Sequence, residues 1–205
     1  MSDQVELTDP VDHSVGGFNG HIARRVFHIS MAILPWLYFV HGDTISESVN
    51  LNKQQFVSAG VIALILIETI RLKIGFTVYG QRDYEATQVS ALAWGSFAVG
   101  ITFLCLPNSP EYVYPLIFSL SLGDPFLGEL RRIKFQPKTV FIGGTIFMMI
   151  LWIVSWHFYE TPLWLAPIMA PICVAAEWPR LRWIDDNATM LLIPLTAILL
   201  IAPWM

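Results

Sequence analysis

Residues 139–158 read TVFIGGTIFMMILWIVSWHF, twenty positions without a Lys, Arg, Asp or Glu. A bilayer is crossed by a helix of about 20 apolar residues, and in hydrocarbon only a helix or a closed barrel satisfies its own backbone. This stretch predicts a transmembrane helix. Working outward from it, six more apolar stretches lie at 25–41, 55–72, 88–106, 112–131, 162–178 and 185–204. The stretch at 162–178 is short and carries Pro167 and Pro171, which neighbouring helices can accommodate. The expected fold is all-α: a polytopic membrane protein of about seven transmembrane helices.

Composition agrees. Of the 205 residues 55% are apolar and 14% charged, whereas a soluble domain carries roughly a quarter charged residues. A single transmembrane domain is expected over 21–205, with no room for a soluble domain beside it. Ahead of it, 1–20 is polar, acidic and glycine-containing, and reads as a disordered tail. The tail lacks the basic start and short apolar core of a signal peptide. With no targeting segment, a prokaryotic cytoplasmic membrane is the expected location. Cys105 and Cys173 stand alone in apolar stretches, so packing is expected rather than a disulfide framework or zinc site.

The basic residues set the orientation. Arg24 and Arg25 precede the first stretch; Arg71, Lys73 and Arg82 lie between the second and third. Arg131, Arg132, Lys134 and Lys138 lie between the fourth and fifth, and Arg180 and Arg182 between the sixth and seventh. These alternate connections hold eleven of the twelve Lys and Arg residues, with only Lys53 opposite. The positive-inside rule then puts the N-terminus in the cytoplasm. Trp36, Trp156, Trp164, Trp178, Trp183 and Trp204 sit near the ends of stretches, as interfacial anchors do.

Charged groups at or near bilayer depth are costly and call for a reason. In Ser121-Leu122-Gly123-Asp124-Pro125, Asp124 lies one and a half to two turns, about 10 Å, inside the basic boundary at Arg131. Gly123 can free the backbone, Asp124 can cap and Pro125 can open a second half-helix. Alternatively the carboxylate is an oxygen ligand for Mg²⁺, which favours carboxylate plus phosphate oxygens. Asp185-Asp186-Asn187 opens the last stretch. One Asp suffices as a cap, and the adjacent carboxylates repel unless a cation or basic partner is near.

Arg24, Arg25 and His28 share a helix face, suited either to phosphate or simply to topology. Lys138-Thr139 before Gly143-Gly144 suits a phosphate, while the glycines equally suit close helix packing. Glu68 and Arg71 are spaced to pair, as are Glu177 and Arg180. Arg82, Asp83, Tyr84 and Glu85 read as a solvated charged loop. By topology these groups all face the cytoplasm, which describes a cavity open to nucleotides and laterally accessible to a lipid.

In this order Arg24-Arg25-x-x-His28, Glu68-x-x-Arg71, Ser121-Leu122-Gly123-Asp124-Pro125, Lys138-Thr139, Glu177, Asp185-Asp186-Asn187 and Pro194 resemble the dolichol kinase and phytol kinase family. The resemblance covers nearly all of the expected membrane domain. It departs at Leu127 and Arg131, where a small residue and a glycine are usual, and at Val140-Phe141-Ile142-Gly143, where a Glu-Gly pair follows the Lys-Thr. The resemblance implies a membrane kinase that transfers a phosphoryl group from CTP or another nucleoside triphosphate to a long-chain isoprenoid alcohol, with Mg²⁺ as cofactor.

It further implies catalytic roles for Asp124, Asp185, Asp186 and Asn187, with Asp124 and Asp186 on the metal. Arg24, Arg25, Lys138, Thr139 and Arg131 would grip nucleotide phosphates, and His28, Glu68, Arg71 and Glu177 would support them. The lipid bilayer, an isoprenoid alcohol and a nucleotide are the expected partners; nucleic acid is not. Two other readings stand beside this one. The first is a CTP-dependent lipid cytidylyltransferase, and the second a non-catalytic lipid-binding or transport relative.

Overall fold

The computed structural model describes residues 14–179, 181 and 183–204. The expected tail up to residue 13, and Arg180 and Arg182 with the expected Glu177–Arg180 pair, lie outside the described residues. Among those described the chain is all-helical: α1 (Gly17–Ser30), α2 (Leu34–Glu47), α3 (Lys53–Ile74), α4 (Ala91–Cys105), α5 (Pro110–Phe118), α6 (Asp124–Arg132), α7 (Pro137–Tyr159), α8 (Ala166–Ala175) and α9 (Asp186–Ile201). Each apolar stretch read from the sequence falls on helix. The helices α7, Pro137–Tyr159, and α9 with its terminal turn, Asp186–Trp204, are long and apolar enough to cross a membrane. Ala91–Cys105 and Leu163–Ala175 are apolar but shorter.

Local chemistry sets the helix ends. A capping box starts α3: Gln55 N donates to Asn52 Oδ1 at 2.8 Å, and Asn52 N to Gln55 Oε1 at 3.0 Å. Gly75, at φ 69°, ends that helix in the left-handed region. Ser90 Oγ accepts from Ala93 N at 3.1 Å to start α4.

The prolines inside the fourth stretch are handled differently from one another. Pro115 lacks an N–H, so the Glu111 carbonyl loses its intrahelical donor; Thr161 Oγ1 donates to it instead at 2.6 Å. Pro125 would do the same to Ser121, and there the backbone widens into a π turn, Ser119–Gly123. This corrects the expected pair of half-helices. Gly123 is helical (φ −73°, ψ −46°), and α5 runs through the π turn into α6. Asp124 is therefore a side chain within a continuous helix and caps nothing.

The core lies where α5, α7, α8 and α9 meet. Trp152 is fully buried and donates Nε1–H to Ser119 Oγ at 3.1 Å. A Cβ on Gly144 would stand 2.3 Å from Leu127 Cδ2, so Gly144 is the slot that lets α6 lie against α7. Close packing is thus the role of this glycine. Pairs α7 with α8, α4 with α9 and α3 with α4 pack along one another. The outward faces of α3 and α7 carry Ile62, Ile67 and Ile70, and Ile142, Ile146 and Ile150, all exposed.

The expected disordered tail needs correction over 14–20. Val15 N donates to Gln81 O at 2.8 Å and Gly80 N to Val15 O at 3.0 Å, while Gly17–Gly20 already belong to α1. Low hydrophobicity alone made this segment look unstructured. Backbone pairing with the connection before α4 is what orders it.

Candidate metal and phosphate site

Three carboxylates from separate parts of the chain converge at the end of the bundle that carries Arg24, Arg71 and Arg131. Asp124 stands at the start of α6, directly after the π turn; Glu177 lies just past the end of α8; Asp186 opens α9. One oxygen from each lies within 4.8 Å of the others. The Asp185-Asp186 pair is divided in function by the helix start. Asp185 is the cap, its Oδ1 accepting from Asn187 N at 3.1 Å and Asn187 Nδ2 at 2.6 Å. Asp186, the first residue of α9, contributes a carboxylate oxygen to the cluster.

Basic side chains surround it. On α1, His28 Nδ1 lies 3.3 Å from Asp124 Oδ2 and Arg25 Nη1 lies 3.6 Å from the same oxygen. Arg131 pairs with Glu177 Oε1. Glu177 has no exposed side-chain surface, and its Oε2 is buried without a hydrogen-bond partner. Arg25 Nε and Asn187 Oδ1 are likewise buried and unsatisfied. Unpaired buried polar groups are rare in folded proteins and signal an absent partner or a functional role. Glu177 belongs to the cluster, and Arg25 touches its Asp124. The three carboxylate oxygens, with Glu177 Oε2 not engaged, are the part that fits a hard divalent cation, while the guanidinium groups of Arg25 and Arg131 alongside suit phosphate oxygens.

Arg24, one residue before Arg25, turns the other way. Its Nη1 donates to Glu85 Oε1 at 2.8 Å. Burial works against the Arg24 charge, but Glu85, with Asp185 and Asp124 beyond it, outweighs burial and holds the guanidinium well above its ordinary pKa.

The structure brings together Asp124, Asp186, Glu177, Arg25, His28 and Arg131, with Asp185 and Asn187 alongside. It does not bring in the rest. Glu68 and Arg71 form a buried two-pronged pair (2.9 and 2.8 Å). Arg71 also donates to the carbonyls of Phe76, Glu85 and Gln88 at 2.9, 2.7 and 2.8 Å. Glu68 Oε1 accepts from Ser90 N at 2.6 Å. Their role is to pin the connection between α3 and α4. Lys138 and Thr139 are exposed at the start of α7, with no ion pair or hydrogen bond to the cluster among the described residues.

Two residues of the site were not singled out by sequence. Glu85, read as part of a solvated loop, is 1% exposed and holds Arg24. Gly128 gives the Arg25 guanidinium its place: a Cβ there would lie 2.2 Å from Nη2. A lone acid in a polar connection carries no periodic signal, and Gly128 would have been found only by asking what small residue follows Asp124 by one helical turn.

Beside the cluster, a cavity of about 200 Å³ is lined by Leu72, Tyr84, Thr87, Trp94, Ile184 and Asp185, among others. Searches against family models, curated proteins and solved structures find no match to the chain, so the chemistry of the site rests on its own residues.

Proposed function

We propose that the chain is a multi-pass membrane kinase. Its reaction would move a phosphoryl group from CTP, or another nucleoside triphosphate, to the hydroxyl of a long-chain isoprenoid alcohol at the cytoplasmic face. The observation that carries this reading is the convergence of Asp124, Glu177 and Asp186 within 4.8 Å, bordered by Arg25, His28 and Arg131. Phosphoryl transfer asks a protein mainly for positioning and charge stabilisation, and paired acidic and basic groups at one point supply both.

The membrane part of the reading rests on surface chemistry. Only 33% of the α7 window is buried within the protein, and its outward isoleucines would otherwise meet water. Trp36, Trp156, Trp164, Trp178, Trp183 and Trp204 are all exposed, as interfacial anchors are. Shorter helices, such as α4, and the jointed α1–α2 and α5–α6 would cross with neighbours satisfying their breaks. With α3 running 22 residues, or about 33 Å, Lys53 and Arg71 would stand at opposite faces of a bilayer, in keeping with the charge asymmetry.

In the reaction, Asp124, Glu177 and Asp186 would hold Mg²⁺. Bound there, the ion would neutralise charge on the transferring phosphate oxygens. Arg25 and Arg131 would bind phosphate oxygens, and His28 would keep Asp124 oriented. Asp185, at the wall of the neighbouring cavity, would accept the proton of the attacking hydroxyl. Leu72, Trp94 and Ile184 would receive the first apolar units of the alcohol. Lys138 and Thr139 would meet the outer part of the nucleotide.

Purified protein incubated with labelled CTP or ATP, Mg²⁺ and a panel of geranylgeraniol, phytol and polyprenols tests the reading. A phosphorylated alcohol with CDP or ADP as co-product supports it. Pyrophosphate and a CDP-linked lipid, formed when a lipid phosphate such as phosphatidate is supplied in place of the alcohol, would make the protein a cytidylyltransferase instead. No product from any pair would remove the kinase reading.

A further inference from the structure

Arg24 and Arg25 are neighbours on α1, yet their guanidinium groups serve different carboxylates. Arg25 reaches Asp124, whereas Arg24 is held by Glu85 at 2.8 Å. Glu85 sits in a short turn, Asp83–Ala86, and is fixed from two sides. Its carbonyl accepts from Arg71 Nη1 at 2.7 Å, and Arg71 is itself locked on Glu68. Its Oε1 also accepts from Arg82 N at 3.3 Å. The loop is thus built to present one buried carboxylate to one arginine.

The Arg24 charge also interacts with Asp185 and Asp124. An arginine has a long stem and a fork that matches any carboxylate. Freed from Glu85, the guanidinium would be drawn towards Asp185 and Asp124, the carboxylates whose charges already act on it. A third guanidinium among them would neutralise the ligands that a divalent cation needs.

We infer that Glu85 is a positioning residue for the metal site: by holding Arg24 aside, it keeps the Asp124–Glu177–Asp186 carboxylates open to a divalent cation. This rests on the metal site of the proposed function, though not on the identity of either substrate.

The test is Mn²⁺ binding, followed by electron paramagnetic resonance on the detergent-purified full chain, for the unsubstituted protein, Glu85→Gln, Arg24→Gln and the double variant. Glu85→Gln is expected to weaken Mn²⁺ binding about tenfold, the size of coupling usual for residues in one charged network. Arg24→Gln alone is expected to leave binding unchanged or tighter. The double variant is expected to return to the unsubstituted affinity, because the competing cation is gone. A loop that merely loses structure without Glu85 would stay weak in the double variant, and that result overturns the inference. So does unchanged affinity in Glu85→Gln, or a loss in Arg24→Gln alone. If the unsubstituted chain binds no Mn²⁺, the metal site itself falls and this inference with it.

Discussion

His28 Nδ1 lies 3.3 Å from Asp124 Oδ2, which sets the first helix against the helix that follows the π turn. Arg25 approaches the same oxygen. The α1 helix is therefore docked on its polar face by one carboxylate, which is shared with the Glu177 and Asp186 cluster. Asp124→Asn keeps the shape and removes the charge. It is expected to lower phosphoryl transfer by about 100-fold or more, as loss of a central electrostatic group does, and to weaken Mn²⁺ binding in parallel. Activity equal to the unsubstituted protein would sink the assignment of Asp124.

Gly128→Ala tests the place made for Arg25. The added methyl group would meet the guanidinium, the far end of a flexible side chain, so the fold can absorb it. Alanine is also favoured over glycine within a helix by about 1 kcal/mol. The expected outcome is an unchanged or higher melting temperature with a several-fold higher nucleotide KM. Steady-state kinetics and thermal unfolding of the same preparation check both halves.

Arg71→Met addresses the Glu68 clamp. It leaves a buried carboxylate and three loop carbonyls without their donor. Breaking a buried pair in this way costs about 3–5 kcal/mol, and the melting temperature should drop on the order of 10 °C. The loss here is of stability, and a variant as stable as the parent would contradict the structural role given to this pair.

Lys138→Ala should cost less activity than Arg25→Ala. Lys138 is exposed and makes no contact with the cluster, whereas the Arg25 side chain is 23% exposed and touches Asp124. Ranking the two by kcat/KM decides it: a larger effect at Lys138 would mean that the nucleotide draws the start of α7 into the site.

Orientation is open to cysteine labelling. Cys105 is exposed, so a Cys105→Ser background is required. In inverted membrane vesicles, Lys134→Cys should react with a membrane-impermeant maleimide, and Asp43→Cys, whose native side chain is 72% exposed, should react only after the vesicles are opened. The opposite pattern would invert the assigned topology.

Helical character was legible from residue order because it is written in local composition. The uncharged run at 139–158 is α7, and the Asp185-Asp186-Asn187 start of α9 follows from cap chemistry. The division of labour between Asp185 and Asp186 was half legible, since one cap uses one carboxylate. Other features were misread because the deciding partner is remote in the chain. Gly123-Asp124-Pro125 suggested a broken helix, while the π turn, supported by α7 and α9 around it, carries the backbone through. Glu85 looked solvated until Arg24 and Arg71 were seen to close over it.

By itself, then, the sequence determined that the chain is helical, where its apolar stretches lie and which alternate connections carry the positive charge, because each depends on neighbours a few residues apart. Tertiary structure alone decided that Asp124, Glu177 and Asp186 share one point, that Arg131 meets Glu177, and that Arg24 and Arg25 part company. Those relationships depend on how α1, α6, α8 and α9 pack, and packing is set by the fit of many side chains at once.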